Sequence, residues 1–192
     1  MMKKLMLFPL ASIVLPEGKM KLRIFESRYK RMVTQSSQSD STFGICLIDN
    51  KKGNKANQLS KFGMLVKIVD FEALDNGMLG LTVMGMERFK IESVVSEFDG
   101  LRVAQVTSLP SWPVRDLEPH EWYLSHQLQA VYQQFPQLGE LYSHCFFDDA
   151  SWVAQRWLEL LPISIQQFDD LMRQDDAHSA VDFLLQVIEV SH

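Results

Sequence analysis

Hydrophobic and polar positions change period several times along this chain, and each change marks an element. Leu5 to Leu15 is an apolar run that meets Pro16-Glu17-Gly18, a turn in which Pro presets φ and Gly accepts a positive φ. Residues 19–24 (KMKLRI) then alternate strictly, with Met20, Leu22 and Ile24 on one face and cations on the other, the period of a half-buried strand. From there the period lengthens: Phe25, Tyr29, Met32 and Val33 fall at helical spacing, so strand, tight turn, strand and amphipathic helix follow one another. Phe43 to Ile48 predicts a buried strand, and residues 49–60 a polar, exposed loop. Met64 to Phe71 and the stripe Leu79, Leu81, Val83 flank Asp75-Asn76-Gly77, which is hairpin chemistry, and Gly85 is expected at a bulge or corner. Phe89 and Ile91 point inward in the next alternation, and Asp99-Gly100 turns the chain into Leu101 to Val106. Short strands with turn signals between them predict a compact β-barrel or sandwich.

Beyond Pro110-Ser111-Trp112-Pro113 the pattern is helical. Leu124, Leu128, Val131 and Phe135 make one stripe that ends at Pro136. Asp149 is expected to cap a helix carrying Trp152, Val153, Trp157 and Leu160, which Pro162 stops. Ser164 and Gln167 form a capping box for a helix with Ile165, Phe168, Leu171 and Met172 inward. Asp176 caps the last helix, whose core face is Val181, Leu184, Leu185 and Ile188. Trp152 and Trp157 are expected in the core, and Trp112 at the joint between strands and helices.

Composition adds one feature to this picture. Residues 1–110 carry 16 Lys+Arg and 11 Asp+Glu, a net +5, whereas residues 111–192 carry 3 and 13, a net −10. Such a sign change marks a domain boundary, an interaction surface, or two parts that attract each other. The only cysteines, Cys46 and Cys145, form no CxxC pair and sit in apolar runs, so free buried thiols and a cytoplasmic location are expected. No apolar stretch is long enough for a membrane helix. Lys3-Lys4 and the apolar run after them imitate a secretory leader, but Pro16-Glu17-Gly18 offers no small-x-small cleavage site, and the segment is expected to be structural.

The stretch FPLASIVLPEGKMKLRIFESRYKRMV (residues 8–33) resembles the opening of the Lon protease N-terminal domain, the LON substrate-binding family. FGMLVKIVDFEALDNGMLGLTVMGMERFKI (62–91) is similar to that family's central hairpin and its Gly-x-x-Arg-Phe corner, here Gly85 to Phe89. ASWVAQRWLELLPIS and FDDLMRQDDAHSAVDFLLQVI are similar to its closing helical bundle. The resemblance implies an α+β fold: a PUA-like small β-barrel with an embedded helix over residues 1–110, then a C-terminal helical bundle over 114–192, together one LON-like domain in stand-alone form. It also implies recognition of a protein or unfolded polypeptide without catalysis.

Candidate chemistry in the residues points the same way. Gly53-Asn54-Lys55-Ala56 lacks the second Gly and the Lys-Ser/Thr pair of a phosphate loop. His120-Glu121 begins like a zinc helix, but Leu124 stands where the second histidine belongs, so no metal and no cofactor is expected. Ser27 near Lys30 has no oxyanion donors around it and is not a nucleophile. What remains is a candidate partner-binding face: Lys19, Lys21 and Arg23 on one strand, with Arg28, Lys30 and Arg31 on the adjoining helix. A solvated face, or one neutralised by the acidic helices, is the plainer reading of the same residues. Polypeptide recognition is favoured. The alternative is RNA binding through the basic half, against which stand the net charge of −5 and the lack of aromatic residues interleaved with the basic ones. The purified protein is expected neither to hydrolyse ATP nor to cleave casein, and turnover that survives repurification would contradict this.

Overall fold

In the computed structural model, residues 1–49 and 58–189 are described. Most of the expected 49–60 loop lies outside them. The described strands are β1 (Met2–Leu10), β2 (Lys19–Ile24), β3 (Thr42–Asp49), β4 (Gln58–Ala73), β5 (Leu79–Ser96) and β6 (Arg102–Ser108), with helix α1 (Ser27–Ser37) between β2 and β3. They form one six-stranded sheet in the order β2-β5-β4-β3-β1-β6, and β6 pairs again with β5. β5 serves three neighbours because it is 18 residues long. Its first third faces β2 (Leu79 to Met84), its last third faces β6 (Phe89 to Ser96), and β4 lies along its other side.

Several local expectations need correcting. The apolar run from Leu5 is strand only as far as Leu10, residues 11–18 form an irregular connection, and β2 pairs with β5. The positive φ of the Pro16–Gly18 turn falls on Glu17 (67°), not on Gly18. Gly18 is required for space instead: a Cβ there would lie 2.0 Å from Glu159 Oε2. Phe25 is 64% exposed, because β2 ends at Ile24 and α1 begins at Ser27, so the helical face that buries Tyr29, Met32 and Val33 does not extend back to it.

Turn chemistry elsewhere works as the residue types dictate. Asn76 (φ 58°) and Gly77 (72°) turn β4 into β5, and Gly100 (85°) turns β5 into β6. The corner at residues 85–89 does three jobs. Gly85 lies so close to the turn that a Cβ would meet the Leu15 carbonyl oxygen at 2.1 Å, and the β4–β5 register slips between Leu65 and Val66 beside it. Arg88, buried, donates from Nη1 to the carbonyls of Met172 (2.5 Å) and Gln174 (2.9 Å) and from Nη2 to that of Pro110 (2.5 Å). Phe89 fills the space left by two missing side chains, since a Cβ on Gly44 or Gly63 would come within 3.0 or 2.6 Å of its ring.

The remaining helices are α2 (Trp122–Gln134), α3 (Pro136–Gly139), α4 (Ala150–Leu160), α5 (Ile165–Met172) and α6 (His178–Glu189). Their starts follow the expected caps: Asp149 accepts from the Ser151 N–H (3.0 Å), Ser164 and Gln167 form the reciprocal capping box, and Asp176 accepts from the His178 N–H (3.0 Å). Phe135, expected in the α2 stripe, sits just past the helix end and is 43% exposed. Trp152 and Trp157 are core residues, and buried Trp112 donates its indole N–H to the Gln174 carbonyl (2.9 Å).

Strand-bearing and helical segments share one continuous core, running from Phe8, Phe43 and Met64 to Trp152, Phe168 and Leu184. Polar contacts reinforce it: Asp169 of α5 accepts from the N–H groups of Lys61 (2.9 Å) and Phe62 (3.3 Å) on β4. A chain ending at Ser111 leaves these N–H donors and the apolar surface of its half of the core in water. It is expected to lose the cooperative melting of the full chain, and a truncated protein that melts sharply at the same temperature would contradict this.

Candidate functional site

α4 is buried on nearly every side from Ala150 to Leu158, an environment for apolar residues. Arg156 is nonetheless fully buried in it, and a buried charge must be paired and hydrogen-bonded. Its Nη2 donates to the Pro16 carbonyl (2.7 Å), its Nε to Glu159 Oε1, and its guanidinium lies 5.2 Å from the Trp152 ring centre. Nη1 has no hydrogen-bond partner among the described residues. Glu159, one turn on, accepts the Leu15 N–H with Oε2 (3.0 Å). Burial pushes its carboxyl up to about 7, against the opposing pull of the Arg156 charge.

These two side chains form the floor of a hollow of about 450 Å³ between β2 and helices α2, α3 and α4. Its walls are apolar, supplied by Ile13, Met20, Leu138, Leu141 and Leu160. Tyr132 and Tyr142 stand on one side as a parallel stack with ring centres 6.3 Å apart. Lys19 and exposed Lys21 also line the hollow. Burial raises the Tyr142 phenol to about 12, so it is neutral, and its hydroxyl accepts the Lys19 N–H (3.0 Å).

That last bond reveals the state of the sheet edge. Because the Lys19 N–H turns away from β5 to reach Tyr142, Lys19 is a non-hydrogen-bonded partner of Met84, and so in the same regular ladder are Lys21 with Thr82 and Arg23 with Gly80. Their main-chain N–H and C=O groups therefore point off the outer side of β2, where no described strand pairs.

The six expected partner-binding cations separate into two groups. Lys19 and Lys21 border the hollow, and Arg23 lies with Lys21 in a neighbouring polar recess opposite Asp70 and Glu72. Arg31 is held by both oxygens of Asp99 (2.8 Å each), which raises the guanidinium further and lowers the Asp99 carboxyl. Arg28 is held by Glu26 (3.0 Å) and the Gly100 carbonyl (3.3 Å). Both arginines thereby fasten α1 to the β5–β6 turn, while Lys30 is exposed. Residues that sequence reasoning missed are Arg156, Glu159 and the two tyrosines. The available signal was an Arg and a Glu three residues apart in a helix that also carries Trp152, Val153, Trp157, Leu158 and Leu160. Glu118, His120 and Glu121 also come together, with ligand atoms within 4.8 Å. The buried Glu121 carboxylate is already taken by Arg115, with bonds of 2.9 and 3.0 Å; burial pushes the carboxyl up, but these bonds, the Glu118 N–H and the Arg115 charge together hold it below the usual range.

A sheet whose edge opens beside an apolar hollow is the layout of a recognition domain. The chain belongs to the family described as the ATP-dependent protease La (LON) substrate-binding domain, whose model matches residues 4–192. It is similar to the crystal structure of a Lon N-terminal domain protein from Xanthomonas campestris, with 32% identity, 96% of this chain and 98% of that one covered, and a TM-score of 0.74. The N-terminal domain of the Mycobacterium avium complex Lon protease shares the fold at 16% identity, with coverage of 96% and 97% and a TM-score of 0.64. No match was found among curated proteins. No described helix is long and apolar enough to cross a membrane.

The raised Glu159 carboxyl has a measurable consequence. Between pH 4.5 and about 7 the folded chain holds a proton that the unfolded chain has released. Its contribution to stability is therefore fully present below that window and lost as pH rises through it. The urea midpoint of the wild type, relative to Glu159→Gln, is expected to fall across the window and to level off above it. A difference that stays constant with pH would contradict the assignment.

Proposed function

We propose that this chain is a non-catalytic module that recognises polypeptide, with an extended segment pairing along the outer edge of β2 and an apolar residue entering the hollow. The observation that carries this reading is the position of the hollow at the end of an unpaired strand edge. Main-chain bonds to Lys21 and Arg23 give affinity with little sequence preference, and the apolar walls select for side chains that a folded protein hides. The return of β6 to β5 closes the circuit of strand pairings, which we read as a small PUA-like barrel over residues 1–110 with the helical segment 114–192 packed on it. This arrangement accounts for an outer edge of β2 with no strand along it among the described residues, since β2 lies outside the closed circuit.

The cations divide accordingly. Lys19, Lys21 and Arg23 are proposed to steer acidic segments to the edge, and Lys30 to add to the same field. Arg28 and Arg31 are proposed to serve the fold. Charges of this kind act on association rate and its salt dependence more than on final affinity.

Fluorescence anisotropy with labelled, unfolded casein tests the reading. Leu138→Asp puts a charge into the apolar wall and is expected to weaken binding at least about tenfold while leaving the melting temperature nearly unchanged. Lys21→Ser combined with Arg23→Ser is expected to slow association and flatten its salt dependence. Casein binding unaffected by Leu138→Asp overturns the proposal. Tight, salt-sensitive RNA binding that the double replacement abolishes would favour the nucleic-acid alternative instead.

A further inference from the structure

We propose that the hollow takes a chain end: the C-terminal carboxylate of a polypeptide whose last residue is apolar. This rests on the polypeptide reading above and specifies which part of the polypeptide enters the site.

The first support is the unsatisfied donor. Arg156 is among the residues that line the hollow; of its three nitrogens, Nε and Nη2 are engaged, and Nη1 is buried with no partner among the described residues. Buried donors are almost always satisfied, and an orphaned guanidinium N–H in a side chain that lines an apolar hollow calls for an acceptor that a ligand brings. A carboxylate meets that need best, since its bonds to guanidinium are charge-assisted and stronger than those of a peptide carbonyl.

The second support is where the strand edge stops. A segment pairing with β2 can use the outward groups of Arg23 and Lys21, but at Lys19 the N–H is already occupied by the Tyr142 hydroxyl. The ladder therefore ends where the hollow begins. A chain that continued would lose its main-chain partner at Lys19, whereas a chain that terminates there needs none. A volume of about 450 Å³ suits one or two apolar side chains and a terminal carboxylate.

The third support is charge. Lys19, Lys21 and Arg156 face the space against the single carboxylate of Glu159, with the neutral phenols of Tyr132 and Tyr142 beside them. Burial also disfavours the charged form of Glu159, so the surplus of positive charge around the space favours an anion.

A fluorescent peptide of alternating Thr and Val ending in Leu, made as the free acid and as the C-terminal amide, tests this on the full chain. The acid is expected to bind about tenfold or more tightly than the amide, with the preference reduced in Lys19→Gln and lost with Leu138→Asp. Because Arg156 also holds the 15–18 turn, the comparison on the ligand side replaces its substitution. Equal affinity for acid and amide overturns the chain-end assignment and leaves the polypeptide reading in place. Failure of both peptides and of casein to bind overturns both. An acid preference that persists in Leu138→Asp puts the carboxylate elsewhere and also overturns the assignment. Competition by N-acetylleucine as strong as by the acid peptide assigns the site to small carboxylic acids instead.

Discussion

The turn at residues 15–18 is held from two sides, and the rest of the site depends on that grip. On one side Glu17 donates its N–H to the Gly85 carbonyl (2.8 Å) and Gly85 donates to that of Gly18 (2.8 Å). On the other, Glu159 accepts from Leu15 and Arg156 donates to Pro16. A side chain at either Gly18 or Gly85 would collide with this arrangement, so both glycines serve close approach. A buried ion pair adds little to stability as a unit, but removing one partner strands the other and costs about 3–5 kcal/mol. Specificity is what the pair contributes here: only one placement of the turn satisfies Leu15 N–H and Pro16 C=O together, and that placement sets the direction in which β2 leaves.

Arg88 repeats the device at the opposite end of the helices. It answers carbonyls at and just beyond the end of α5, Met172 and Gln174, with one nitrogen and Pro110 in the linker with the other, while its guanidinium lies 5.3 Å from the Trp112 ring centre. Desolvation lowers its proton affinity, yet an arginine stays charged where a lysine would release its proton, and a planar fork reaches several carbonyls at once. Asp169 supplies the complementary contact, a carboxylate receiving two strand N–H groups. Strands and helices are thus joined by charged side chains of one segment bound to main-chain groups of the other.

Much of this was legible in the amino-acid order, for identifiable reasons. Alternation at residues 19–24, the Asp-Asn-Gly and Asp-Gly turns and the caps Asp149, Ser164 and Asp176 are local signals, decided within a few residues, and local rules recovered them. Phe25 and Phe135 were misplaced because periodicity does not show where a helix stops, and each lies just outside one. Gly18 was expected to bend the chain, but the crowding there comes from Glu159, 141 positions away. The floor of the hollow stayed hidden for the same reason. Arg156 and Glu159 look like an ordinary surface pair at i and i+3, and only the packing of α4 shows them to be interior. Exposed cations, conversely, drew notice without revealing that Arg28 and Arg31 are bound within their own segment.

The charge asymmetry between the halves can now be placed physically. Attraction between a +5 segment and a −10 segment need not be what joins them, because the contacts across the junction described above run from charged side chains to neutral backbone groups, and the paired cations of α1 find Glu26, Glu97 and Asp99 in their own half. Most of the acidic charge of the helical segment is therefore left to face solvent. Beyond about 8 Å such charges are largely screened at physiological salt, so an approaching anionic segment feels mainly what is nearest. Along β2 these are the cations Lys19, Lys21 and Arg23, with Asp70 and Glu72 in the recess that Lys21 and Arg23 share. In the recognition mode proposed above, this small positive excess, and not the acidic net charge of the whole chain, sets the field that an acidic segment meets at the edge.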